Sequence, residues 1–262
     1  MLLRSPCRSD RLLTKQLHEP RLADSWRGVR TMGTSAVFEF PAIFISNQPT
    51  MIRNIIFDYG GVIIDLDFDR LTSEFEKLGV AGFDQHRLQL HQAGVFDRLD
   101  KGQISEAEFR QAIRQQTGAS LTDEQIDSAW NSLIAGVKEE KIKTLTKLIS
   151  SHKTFLLSNT NFIHLKAITK YLLRTYGRVN LDSVFDKVYY SCALGLRKPD
   201  PEIYQKVIND SGLKPSQTLY IDDSPEHVEG AAREGLIAVL YDPAEPLGDF
   251  LNRTLQQLNQ PG

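Results

Sequence analysis

The sequence predicts an α/β protein built on a parallel sheet, with a helical unit inserted after the first strand. Three observations carry this. Short apolar runs recur, and several end in small or polar residues: Ile52–Phe57, Thr154–Leu157 and Thr218–Ile221. Stretches of helical spacing separate the later runs, as strand–helix–strand crossovers require. From Asp69 to Lys138 the helical spacing continues with no convincing strand, so this stretch interrupts the alternation as an all-helical cap.

The first run reaches Asp58 and then Gly60-Gly61, the pattern of a buried strand feeding a tight loop. Helical spacing follows over Leu71–Leu78 and in segments starting near Gln85, Ser105 and Thr122. Ser105 with Glu108 makes a capping box that starts one of these helices. Asp123 and Glu124 occupy the first turn of another, where the helix dipole favours acids. After Glu139 come a helix (Lys141–Ile149), a strand (Thr154–Leu157), a helix (163–174) and a strand (Val188–Tyr190). A helix (201–211), a strand (Thr218–Ile221), a helix (226–234) and a strand (Ile237–Leu240) complete the series. Such alternation gives right-handed crossovers and a Rossmann-like core. The expected organisation is an extension over 1–50, a core over 51–67 and 139–245, a helical cap over 68–138 and a C-terminal tail over 246–262.

The 262 residues suffice for one large α/β domain or for a core with a smaller lid. With 24% charged residues but a net charge of only −2, the chain makes no case for nucleic acid or an anionic membrane as partner. No apolar run is long enough to span a bilayer. Cys7 and Cys192 cannot form a metal cluster alone, so a reducing, cytoplasmic setting is expected. Residues 1–50 scatter Arg4, Arg8, Arg11, Arg21, Arg27 and Arg30 without sustained periodicity. Asp10, Glu19 and Asp24 argue against a transit peptide, and Met1-Leu2-Leu3 is too short an apolar centre for a secretory signal. Met51-Ile52-Arg53 reads as a natural beginning. A disordered extension or a misassigned start is therefore expected for 1–50.

In a parallel α/β sheet, ligands bind where strands end and chain order reverses. The residues just after the expected strands are Asp58-Tyr59-Gly60-Gly61, Ser158-Asn159-Thr160 and Asp222-Asp223-Ser224, with Arg197-Lys198-Pro199 in a loop before a helix. Carboxylates, a hydroxyl, an amide and a lysine can hold a divalent cation and a phosphate together. Hard Mg²⁺ takes oxygen ligands and shares them with substrate phosphate. Lysine supplies compensating charge, and Ser158 can hydrogen-bond a phosphoryl oxygen. Singly, each element has a plainer reading: Asp58 as a turn residue, Lys198 as a solvated charge, Ser158-Asn159 as a helix cap. Adjacent acids after an apolar strand, as in Asp222-Asp223, are costly unless paired or metal-bound.

The four segments Ile55-Ile56-Phe57-Asp58-Tyr59-Gly60-Gly61-Val62, Leu156-Leu157-Ser158-Asn159-Thr160, Arg197-Lys198-Pro199 and Tyr220-Ile221-Asp222-Asp223-Ser224 resemble, in this order, the motifs of the haloacid dehalogenase (HAD) superfamily. The resemblance runs from about Met51 to Tyr241. It implies a HAD fold with a helical C1 cap. A Gly-x-Ile-Ser turn at Gly102–Ser105 makes the chain similar to the α-D-glucose-1-phosphate phosphatase-like branch. The resemblance implies that Asp58 is the nucleophile and forms an aspartyl-phosphate. It implies that Asp58, Asp223 and the Gly60 carbonyl bind Mg²⁺, with Asp222 behind them as an acid or as an orienter of the metal's water. Ser158 and Asn159 would bind the phosphoryl group, and Lys198 would neutralise charge on Asp58 and the phosphoryl oxygens. The implied partner is a small phosphorylated metabolite: a sugar phosphate first, a nucleotide or flavin mononucleotide next. The expected assembly is a monomer or homodimer.

One departure stands out. Most phosphatases of the superfamily carry a second Asp two positions after the nucleophile, where this chain has Gly60. General acid–base help is typically worth about 10²–10⁴-fold, so its absence implies a slower enzyme, a good leaving group or a substitute acid from the cap. It also keeps two rivals open. One is a 2-haloacid dehalogenase, which needs no acidic pair. The other is a non-catalytic member that binds phosphorylated ligands. In the cap, Asp97, Gly102, Ile104 and Glu108 match positions of a calcium loop, but Leu99 and Lys101 stand where oxygen ligands are needed. Asp65 and Asp67 read as hinge residues, Phe96 and Trp130 as cap core, and specificity as a property of the cap near Asp97–Lys101.

Overall fold

The computed structural model describes residues 51–177 and 181–259; the readings made for residues 1–50 lie outside them. The chain begins in β1 (Asn54–Phe57) and passes a tight turn to β2 (Asp65–Leu66). A helical unit follows: α1 (Phe68–Lys77), α2 (Phe83–Gln92), α3 (Val95–Asp100), α4 (Glu106–Thr117) and α5 (Asp123–Asn131). It returns through β3 (Ile134–Gly136), which pairs antiparallel with β2. Strand and helix then alternate through α6 (Glu139–Leu148), β4 (Lys153–Ser158), α7 (Phe162–Tyr176), β5 (Lys187–Tyr190), α8 (Ser191–Leu194) and α9 (Pro201–Asp210). The last elements are β6 (Thr218–Asp222), α10 (Pro225–Arg233), β7 (Ile237–Leu240) and α11 (Leu247–Asn259).

The main sheet has the order β5-β4-β1-β6-β7, and all its pairs are parallel. β1 lies at its centre, with β4 on one side and β6 on the other. Chain order therefore reverses at β1, and the crevice opens at its carboxyl end, next to Asp58. Side chains alternate across the sheet. Ile55 and Phe57 pack with Leu156, Ile221 and Leu145, whereas Ile56 packs on the other face with Leu157, Tyr204 and Tyr220. Both faces of β1 are dry, which explains why its sequence is a continuous apolar run rather than an alternating one.

The helical unit carries a core of its own, built on Leu71, Phe75, Phe83, Phe109, Ile113 and Trp130, with Ile163 of α7 reaching into it. Phe96 packs on Trp130, so both aromatics serve the cap core. Asp67 caps α1 by accepting from the Arg70 N–H at 2.8 Å. Capping boxes start α4 at Ser105 and α5 at Thr122. Glu108 is used in the first of them, accepting from the Ser105 N–H at 2.7 Å.

Two expectations need correction. The stretch from Asp69 to Lys138 was expected to hold no strand, yet β3 lies there. It is three residues long and exists only because β2 offers it a partner. The expected tail over 246–262 is instead occupied through Asn259 by α11, whose Leu247, Phe250 and Leu251 are buried in the same cluster as Ile142 and Leu145 of α6.

Candidate active site

The turn after β1 is folded by its own backbone. The Asp58 N–H bonds the Ile221 carbonyl at 2.9 Å, extending the pairing of β1 with β6 by one residue. The Tyr59 carbonyl accepts from the N–H groups of Ile63 and Ile64 at 3.0 and 2.7 Å, and the Gly61 N–H bonds the Ile64 carbonyl at 2.8 Å. Gly61 has φ +77, and a Cβ there would overlap the Asp223 carboxylate. Glycine is thus required twice, by the backbone and by the close approach of Asp223. At Gly60 a Cβ would lie 3.1 Å from Cδ1 of Leu66.

Lys198 is the centre of the arrangement. It is fully buried, and its Nζ lies 2.6 Å from Oδ1 of Asp58 and 2.7 Å from Oδ2 of Asp222. The loop that carries it is clasped by Asn159. The Lys198 N–H donates to Asn159 Oδ1 at 2.9 Å, and Asn159 Nδ2 donates to the Lys198 carbonyl at 2.8 Å. Asn159, expected to bind a phosphoryl group, therefore spends both ends of its amide on the lysine's backbone. Ser158 closes β4 and is buried, at the same sheet edge as Asp58.

Asp222 is likewise buried and occupied. Besides Lys198, its oxygens take the Tyr220 hydroxyl, the Ser224 N–H at 2.9 Å and His227 Nδ1 at 3.1 and 3.2 Å. Asp222 was expected at the metal or its water. Both its oxygens are held by these donors, Lys198 among them, and an Asp222 oxygen also lies within 4.8 Å of oxygens of Asp58 and Asp223. Tyr220 and His227 escaped the sequence reading. Tyr220 shares a strand face with Asp222 two residues on, and His227 meets Asp222 only because α10 folds back over the strand end.

Burial raises the Asp58 pKa to about 8; Asp222 and Asp223 add to the rise and Lys198 opposes it. Burial, with Asp222 behind it, raises Asp223 to about 6. Burial also works against the charges of Asp222 and Lys198, but their mutual attraction prevails. It holds Asp222 below the usual carboxylate range and Lys198 above the usual ammonium range. Three carboxylates thus face one lysine, with oxygens of Asp58, Asp222 and Asp223 within 4.8 Å of one another. The surplus negative charge and the all-oxygen donors fit a hard divalent cation. Asp58 and Asp223 have the oxygens to hold one.

The cap meets this edge through its α3–α4 turn. Arg197, next to Lys198, pairs with Asp97 at 2.9 Å, and Lys101 reaches Asp200 at 3.2 Å. Asp100, held near pKa 6 by burial, accepts from Asn161 at 3.3 Å. The expected specificity region, Asp97–Lys101, therefore lies against the loop that presents Lys198.

A buried carboxylate at the carboxyl end of a central parallel strand, bridged by lysine to an acidic pair on the next strand, is the arrangement that the comparisons with known proteins meet. The chain belongs to the haloacid dehalogenase-like hydrolase family, whose model matches residues 52–235. It is 38% identical over 178 residues to the D-ribitol-5-phosphate phosphatase of Bacteroides thetaiotaomicron, covering 68% of this chain and 86% of that protein. Its fold is similar to a HAD family enzyme of Bacteroides thetaiotaomicron solved with magnesium and inorganic phosphate. There the TM-score is 0.67 and the identity 36%, over 74% of this chain and 96% of the other. A HAD-like hydrolase of Porphyromonas gingivalis gives a TM-score of 0.70 at 38% identity, over 79% and 98%. Among the described residues, no helix is long and apolar enough to cross a membrane.

Proposed function

We propose that this chain is a Mg²⁺-dependent phosphatase of small phosphorylated metabolites, with an acyclic or cyclic sugar phosphate as substrate and Asp58 as nucleophile. The bridge from Lys198 to Asp58 at 2.6 Å carries the reading, because it fixes one carboxylate oxygen and leaves the other to attack. The Asp58 carboxylate attacks phosphorus as the bond to the leaving oxygen breaks, giving an aspartyl-phosphate and an alkoxide that takes its proton from solvent. Water then attacks phosphorus and returns inorganic phosphate and the Asp58 carboxylate. Lys198 balances the charge of Asp58 and the phosphoryl oxygens throughout. Ser158 offers a hydroxyl to a phosphoryl oxygen. Asp58, Asp223 and the Gly60 carbonyl would hold Mg²⁺, which supplies positive charge that draws Asp58 to its ionised form.

The relative that hydrolyses D-ribitol 5-phosphate supports a polyol phosphate, and the Gly102–Ser105 turn supports a sugar 1-phosphate, whose good leaving group suits a site without an acid at Gly60. Monomer or homodimer, in the cytoplasm, is the setting we infer from composition. A panel of polyol and sugar phosphates decides: phosphate release that needs Mg²⁺ and is lost in Asp58→Asn supports the reading, and metal-independent halide release from 2-haloacids overturns it.

A further inference from the structure

We infer that Tyr220 is a positioning residue of this active site: its hydroxyl holds Asp222 so that Lys198 is aimed at Asp58. The inference rests on the phosphatase reading of the same site and adds a residue to it.

Tyr220 is wholly buried in β6, two residues before Asp222 and on the same strand face. A buried tyrosine hydroxyl must find a partner. This one donates to Oδ2 of Asp222, the same oxygen that accepts Lys198 Nζ at 2.7 Å. The ring also lies under the ammonium, with Nζ 5.8 Å from its centroid. The phenol and the lysine therefore converge on one carboxylate oxygen. The ring is held in turn: Tyr204 meets it edge-on at 5.6 Å and 88°, and the Tyr204 hydroxyl donates to the His227 carbonyl at 2.9 Å. His227 Nδ1 closes the frame on Asp222.

A carboxylate with one donor can swing; one fixed by four donors cannot. Asp222 is the only group besides Asp58 that the Lys198 ammonium bonds among the described residues. If Oδ2 shifts, the ammonium shifts with it, and its 2.6 Å approach to Asp58 lengthens. Rate is sensitive to such displacement because the lysine charge must meet the transition state where it develops. Substrate binding is affected less, since Ser158 comes from β4 and the cap meets the Lys198 loop through Arg197 and Asp97 rather than through Asp222.

The test compares Tyr220→Phe with wild type and with Tyr189→Phe, which deletes a buried hydroxyl of the same core cluster that pairs with Ser211 and lies outside this frame. Tyr220→Phe is expected to lower kcat about tenfold with KM within twofold, and to broaden the nitrogen NMR signal of the Lys198 ammonium. Tyr189→Phe is expected to keep kcat within twofold. Equal kcat in wild type and Tyr220→Phe, or a fall in melting temperature with kcat intact, overturns the inference and leaves Tyr220 a core residue. If Tyr220→Phe does not fold, 3-fluorotyrosine at position 220 keeps ring and hydroxyl but alters donor strength. A changed kcat then supports the inference and an unchanged kcat overturns it. Absence of Mg²⁺-dependent phosphate release in wild type is a separate outcome, which removes the phosphatase reading itself.

Discussion

Two lysines among the described residues are almost completely buried, and their surroundings are opposite. Lys198 lies at the strand ends among three carboxylates: Asp58, Asp222 and the nearby Asp223. Lys141 lies in α6 at the root of the cap, 2.7 Å from Asp65, a carboxylate that it shares with Lys138 at 3.5 Å. The first place has one ammonium for three acids; the second has two ammoniums for one acid. A buried surplus of negative charge is costly unless a cation joins it. A surplus of positive charge at a site open to solvent on one side has no such need. The difference separates chemistry from construction. Lys198 belongs to a cluster of oxygen donors that fits a divalent cation. Lys141 and Asp65 tie the strand that leaves the core to the helix that re-enters it.

The largest effect expected from breaking this contrast is at Asp58. Asp58→Asn keeps the shape and hydrogen-bonding reach but removes the nucleophile, so turnover should fall to background in an assay of phosphate release. Trapping with beryllofluoride should label wild type and fail in the variant. The variant should stay as stable as wild type or gain, because one carboxylate of a like-charged cluster has gone.

At the cap root the same kind of change should act on stability instead. Asp65→Asn leaves the Lys141 ammonium without its bonded carboxylate in the interior. Breaking a buried ion pair in this way costs about 3–5 kcal/mol, and the quarter exposure of the Asp65 side chain places the expected loss at the lower end. Urea denaturation measures it. Adding Lys141→Met should restore most of the loss, since no charge is then left buried alone. Turnover by the folded protein should change only a few-fold; a loss as deep as that of Asp58→Asn would mean that the cap root takes part in the chemistry.

The contrast also sets a pH dependence. Without metal, Asp58 and Asp223 have pKa values raised to about 8 and about 6. An acid with a raised folded pKa favours folding below its unfolded value near 3.8, and that contribution is lost as pH rises through the folded pKa. The metal-free protein should therefore lose stability from these two groups between about pH 4 and 8. Mg²⁺ binds the ionised carboxylates and displaces their protons, so its affinity should rise with pH over the same window, by up to about tenfold per unit for each proton released. Titration calorimetry in buffers of different ionisation enthalpy counts the protons. An affinity flat from pH 5 to 8 would remove Asp58 and Asp223 from the metal site.

The sheet was legible because its central strands β1, β4 and β6 are buried on both faces and read as apolar runs, and the site was legible because polar groups collect where such runs end. What escaped had physical reasons. β3 spans only Ile134–Gly136, too short for a periodic signal. α11 does carry one, in Leu247, Phe250, Leu251, Leu255 and Leu258, but it lies after the last functional segment, where no motif marks it as part of the core. Chemistry alone offered Asn159 to a phosphate; only the folded loop shows its amide on the Lys198 backbone. Tyr220 and His227 bear on Asp222 through space, from one strand face and one helix turn, and no spacing rule joins them to Lys198.

The smallest effect expected concerns the missing acid. Position 60 is outside the left-handed region, so an aspartate is allowed there by the backbone. Space is the obstacle, because its Cβ would meet Leu66 Cδ1 at 3.1 Å, and Leu66 belongs to β2 at the cap root. Gly60→Asp should therefore change kcat by only a few-fold, well short of the about 10²–10⁴-fold that a seated acid supplies. Trimming the obstacle in Gly60→Asp/Leu66→Ala should bring the rate above that of Gly60→Asp, most visibly on substrates with poor leaving groups. If the single variant already gains a hundredfold, Leu66 yields freely, and the glycine reflects the substrate's easy departure rather than the room left by the cap root.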